Sequence, residues 1–169
     1  EVLKVKNDKD RLPPFVYYGS EIIGEAGKTY TLKIEYLNRI VSATTTIPKT
    51  VALISAEYIK NNVADSTGYV FVKFDDPLNE KNYYQIATRL EGQEPIFVPT
   101  FYGNLDDKNF DSPKISMQVN RGVLLFPKTK YKPYFPDGDL IYVKLRTMNK
   151  DALDFWNSWQ NELVNRRHP

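Results

Sequence analysis

The sequence predicts a mainly β chain, an immunoglobulin-like or fibronectin-like β-sandwich with one C-terminal α-helix packed on the sheet. Three observations carry this expectation. Many short segments alternate apolar and polar residues at the two-residue period of a strand, and they are punctuated by turn residues. The composition is 14% aromatic, with 12 Tyr and 9 Phe against 2 Met, and aromatic side chains pack well on a half-buried pleated surface. One stretch near the end switches to helical periodicity.

In order along the chain, Phe15-Val16-Tyr17-Tyr18 reads as a short strand after Pro13-Pro14, and Gly24 to Lys28 as a turn. Thr29 to Tyr36 is the clearest strand, with Tyr30, Leu32, Ile34 and Tyr36 on one face and Thr31, Lys33 and Glu35 on the other. Leu37-Asn38-Arg39 turns it into the β-branched run Ile40 to Ile47, ended by Pro48, which makes a hairpin. Val51 to Tyr58 reads as a strand or as a helical turn, given Ala52, Ala56 and Glu57. The polar segment 61–68 is the expected linker, between a β-rich partial sandwich at 1–60 and a second β-rich region at 69–169.

Beyond the linker, Tyr69 to Phe74 and Tyr83 to Leu90 read as strands flanking an acidic loop, and Ile96 to Val98 as a short strand. The segment from Pro99 to Pro113 shows no period and is expected to be a long loop. Ile115 to Val119 and Val123 to Phe126 are expected to pair across Asn120-Arg121-Gly122, and Leu140 to Arg146 is the last strand. The helix is expected over 149–165, capped by Asn149, with Asp151 and Asp154 early and Arg166 and Arg167 late. Its stripe of Leu153, Trp156, Trp159 and Leu163 forms the structural anchor on the sheet.

The chemistry available is limited. With no cysteine there is no thiolate ligand, Cys nucleophile or disulfide, and the sole histidine, His168, lies next to last. A net charge of +2 gives no field for nucleic acid or anionic lipid. No run approaches the roughly 20 apolar residues of a spanning helix, and no signal-peptide layout begins the chain. The acids Asp75, Asp76, Glu80, Asp106, Asp107, Asp111, Asp137 and Asp139 offer oxygens for acid/base or cation chemistry, but loop aspartates more often shape turns. Lys128, Lys130 and Lys132 read as the wet face of an edge strand sooner than as a nucleic-acid platform. No catalytic residue, metal site or cofactor is expected, and the chain reads as a non-enzyme. Adjacent aromatics are the candidate ligand-binding residues: Tyr83 and Tyr84, Phe101 and Tyr102, Tyr131 and Tyr134, since on a strand one ring of each pair faces out and can stack on a sugar or an extended peptide. For any one pair the simpler reading, and the preferred one, is that these rings cover the sheet rim with only the hydroxyl wet.

Gly27-Lys28-Thr29-Tyr30-Thr31-Leu32-Lys33-Ile34 followed by Ala43-Thr44-Thr45-Thr46-Ile47-Pro48 resembles the hairpin signature of a Bacteroidota family catalogued as domain of unknown function 4249. Phe74-Asp75-Asp76-Pro77, Asn82-Tyr83-Tyr84 and the stretch from Leu145 to Trp156 match its second half in order. The resemblance implies an outer-membrane or periplasmic lipoprotein encoded near TonB-dependent receptors, with an Ig-like region before a second β-rich region. It implies membrane contact only through an upstream lipid anchor, and it brings no catalytic residues. Against the family pattern the chain is expected to be a truncated member lacking the front half of the first sandwich and a Gly-rich tail, with Asn38-Arg39 where Asn-Gly is usual. The expected function is therefore a non-catalytic envelope module that captures a glycan or peptide nutrient or docks onto such a receptor. A structural or adhesive surface domain, and then a glycan-active enzyme, are the alternatives.

Overall fold

The computed structural model describes residues 1–7, 15–62, 66–110, 112–122 and 132–165, with side chains up to residue 162. It is mainly β, as the alternation predicts. The chain divides into two compact units, Glu1–Ile47 and Pro48–Pro169. The division thus falls at Ile47 and Pro48, not at 61–68. The expected linker instead connects two antiparallel partners inside the second unit, because their apolar faces belong to one core.

In the first unit, β1 (Lys4–Asn7) pairs antiparallel with β2 (Phe15–Tyr18), and β3 (Thr29–Tyr36) with β4 (Arg39–Thr46). The turn between β3 and β4 is Leu37-Asn38, with φ of 44° and 61°. Two successive left-handed residues make the primed turn whose twist matches a two-residue hairpin, so Arg39 opens the next strand instead of sitting in the turn. Leu32 lies opposite Ala43 and Ile34 opposite Val41 on one face, while on the other Thr29 meets Thr46 at 2.8 Å and Thr31 meets Thr44 at 3.0 Å. The Glu1 carboxylate accepts the backbone N–H groups of Ser20, Glu21 and Ile22. Those bonds, the one from Glu21 foremost, outweigh partial desolvation and hold its carboxyl below the usual range.

The second unit contains β5 (Leu53–Lys60), β6 (Thr67–Asp75), β7 (Tyr83–Leu90), β8 (Val98–Asp106), β9 (Lys114–Val119), β10 (Phe135–Pro136), β11 (Ile141–Met148) and α1 (Lys150–Asn165). β6 pairs with β5 on one side and with β9 and β10 on the other, while β7 lies between β8 and β11. The inner faces of these two antiparallel sheets meet in one core, with Val70, Val72 and Phe74 from β6 against Tyr84, Ile86 and Leu90 from β7, closed by Ile115, Val119 and Phe135. Each such side chain contributes about 1.5–3 kcal/mol when fully buried. Val51–Tyr58 resolves as strand, offset to Leu53–Lys60. Val123–Phe126, the expected partner of β9, lies outside the described residues.

β7 is buried along both faces, because its outer residues Tyr83, Gln85 and Ala87 lie on the side that α1 covers with β8. That second cover removes the alternation a one-sided strand would show. The helix starts at Asn149, whose side chain accepts the Ala152 N–H at 2.9 Å. Leu153 is buried, Trp156 and Trp159 are half-buried and meet edge to face at 5.5 Å; Leu163 is beyond the described side chains.

Candidate functional site

The expected loop from Pro99 to Pro113 is largely strand, and its lack of period has a physical cause in a long bulge. Gln85 lies opposite Asn104, and Ala87 opposite Pro99, so the single residue Ile86 faces Thr100, Phe101, Tyr102 and Gly103. An excursion of this size displaces the ladder partner of the Ile86 carbonyl. The buried Thr100 hydroxyl replaces it, donating to Ile86 O at 3.2 Å. Gly103 closes the bulge, since a Cβ there would sit 2.6 Å from Ile86 O.

Tyr102 stands at the apex with φ 89° and 78% of its surface exposed. A bulky residue in this region is rare and costs on the order of 1–3 kcal/mol, which is tolerated where surrounding structure enforces it. Its ring meets Phe101 edge to face at 4.6 Å. Between the bulge and β9 lies a groove of about 200 Å³, lined by Thr100, Phe101, Tyr102, Met117, Val119 and the polar pair Gln118 and Asn120. Gln118 Nε2 donates to Asn120 Oδ1 at 2.8 Å. Rings, a thioether and side-chain amides in one groove offer stacking and hydrogen bonding, which is ligand-binding chemistry.

A chain of side chains beneath α1 holds the bulge from behind. Arg146 on β11 donates to Gln85 Oε1 at 3.2 Å, and Gln85 Nε2 to Asn104 Oδ1 at 3.0 Å. Asn104 Nδ2 donates to Gln160 Oε1 at 3.2 Å, and Gln160 Nε2 to the Thr100 carbonyl at 3.4 Å. Gln160 therefore spans both feet of the bulge from the helix. Sequence patterning missed Thr100, Gly103, Asn104 and Gln160; the one available signal was Gln85, a long polar side chain inside an apolar strand.

The other candidate aromatics are not gathered here. Tyr83 is 8% exposed and Tyr84 fully buried, so neither presents the outward ring that their adjacency predicts; α1 covers one face of β7 and the opposing sheet the other. Tyr84 packs edge-on to Phe74 at 5.1 Å, and its hydroxyl donates a short bond to Asp76. Burial first, and the Asp76 carboxylate second, push its pKa well above the usual phenol value. Tyr134 is 39% exposed but does not line the groove, and Tyr131 lies outside the described residues.

The acidic candidates hold backbone groups and side chains in place, several of them in other parts of the chain. Asp107 accepts the Asn82 N–H at 2.6 Å, and Asp76 accepts Asn82 Nδ2 at 3.3 Å. Asp106 accepts the Lys108 N–H at 3.2 Å; burial opposes its ionisation, but Lys108 outweighs that and holds the carboxyl low. Asp137 pairs with Lys60 and Asp139 accepts from Gln93, while Asp111 and His168 lie outside the described residues. Among the described residues no cluster of three or more His, Cys, Asp or Glu could hold a metal, and no helix is long and apolar enough to cross a membrane.

No curated protein and no solved structure matches the chain. A family model does match, over residues 3–167, and so covers nearly the whole of both units. The chain therefore belongs to the family described as Domain of unknown function (DUF4249).

Proposed function

We propose that this chain is a non-catalytic binding module of the cell envelope that captures a glycan on the groove beside Tyr102. The observation that carries the reading is a highly exposed tyrosine held in the left-handed region over a groove. Strain of this kind is retained where it aims a side chain at a task, and bulges commonly re-aim side chains in this way. A groove of about 200 Å³ is smaller than the roughly 300–1,000 Å³ of a drug-sized pocket. It suits one sugar ring, stacked on Tyr102 and oriented by the Gln118 and Asn120 amides.

A non-catalytic role is supported by the engagement of Asp76, Asp106 and Asp107 in holding loops. The envelope setting, and docking to a TonB-dependent receptor, are supported by the family resemblance. The test is calorimetric titration of mono- and oligosaccharides into the wild type and Tyr102→Ala. Binding to the wild type that is lost in the variant supports the reading; no binding across the panel favours a structural or adhesive domain, and product formation in the same mixtures favours an enzyme.

A further inference from the structure

The outer face of β11 presents a second feature, separate from the groove. Side chains on that face are Tyr142, Lys144 and Arg146, in register with Arg89, Ala87 and Gln85 of β7. The Arg89 guanidinium lies 4.4 Å from the centre of the Tyr142 ring and 5.7 Å from that of Phe97, and Lys144 Nζ lies 5.4 Å from Phe97. Arg89 is paired with Glu91 at 3.0 Å, but its Nε is buried without a partner. Among the described residues neither Lys144 nor Arg146 forms an ion pair. Arg89 and Lys144 thus stack with rings, and Lys144 and Arg146 are left with no carboxylate beside them among the described residues.

β11 also has an edge to offer. Among the described residues it pairs with β7 alone, and α1 packs on β7 and β8. The Glu91 N–H donates to Leu140 O at 3.0 Å, which makes 140 and 91 a hydrogen-bonded pair continuing the register of Ile141 with Leu90. In an antiparallel ladder such pairs alternate. Tyr142, Lys144 and Arg146 therefore bond to β7, while the N–H and C=O groups of Ile141, Val143, Leu145 and Thr147 point away from it. The same alternation turns the Ile86 carbonyl toward β8, where Thr100 meets it.

We propose that the outer edge of β11 takes up an extended acidic polypeptide segment as an added strand, its carboxylates lying beside Lys144 and Arg146. An added strand supplies the missing backbone partners, and its alternate side chains fall on one face at about 6.8 Å intervals, matching Lys144 and Arg146. A net charge of +2 makes the patch local, which favours a short acidic segment over a nucleic acid. This goes beyond glycan capture and does not depend on it.

The test uses the full chain and a fluorescent peptide of alternating Asp and Thr, about ten residues long to cover a strand of this length, with an Asn-Thr peptide as control. Expected is binding of the acidic peptide alone, weakened roughly three- to tenfold by Lys144→Glu. Amide hydrogen exchange at Val143 and Leu145 should slow when it binds. Absence of peptide binding overturns the proposal, as does binding that leaves those amides unprotected. Binding of oligogalacturonate at the same face without amide protection also overturns it and assigns the cations to an acidic glycan.

Discussion

Gln160 and Asn104 join helix to strand at 3.2 Å, the Asn104 amide donating to the Gln160 carbonyl oxygen. Because Asn104 also accepts from the fully buried Gln85, this pair links α1, the foot of the β8 bulge and the central strand. Asn104→Leu removes one partner each from Gln85 and Gln160. The expected cost is about 1–3 kcal/mol, that of leaving a buried polar group unsatisfied, read by urea denaturation. Gln160→Ala opens the network at its solvent end and should cost less, while still shifting the Tyr102 amide resonance.

Tyr102→Gly separates stability from binding. Glycine occupies the left-handed region without the penalty that Tyr102 bears at φ 89°. The variant should be as stable as the wild type or more so, by up to about 1 kcal/mol, and should lose saccharide binding. A clear loss of stability in thermal unfolding would show that the Tyr102 ring is needed for the fold.

Glu94 and Arg121 make the most buried ion pair described, at 2.7 Å with side chains 1% and 16% exposed. The second Glu94 oxygen accepts the Leu90 N–H at 2.8 Å, and the Arg121 N–H donates to Pro133 O at 2.9 Å. Arg121→Ala leaves a buried carboxylate without its cation, so a loss of about 3 kcal/mol is expected. The pair Glu94→Leu with Arg121→Leu should lose less than the two single changes added together, in a double-mutant cycle by chemical denaturation.

Tyr84 makes stability fall in alkali. Its phenol, neutral in the fold, ionises in the unfolded chain near the ordinary value of about 10, while burial and then Asp76 raise the folded value. The contribution is whole below that ordinary value and is lost as pH rises beyond it, because the unfolded state then sheds the proton first. Denaturation midpoints should drop above about pH 10 in the wild type and drop less in Tyr84→Phe.

Local pattern was enough for much of the architecture. The β3–β4 hairpin was readable from alternation, the mainly β class from composition and turn spacing, and the start of α1 from the Asn149 cap and its apolar stripe. These depend on interactions a few residues apart, which a sequence displays directly. What depends on distant residues was not legible. That both faces of Tyr83 and Tyr84 are covered follows from α1 on one side and β6 on the other, so their adjacency misled. The bulge at Thr100–Gly103 rests on the Ile86 carbonyl and on Gln160, nearly 60 residues away. Alternation thus determined which segments become strands, and only tertiary packing decided which aromatic ring stands in water, because exposure is settled by whatever covers a face and not by the face itself.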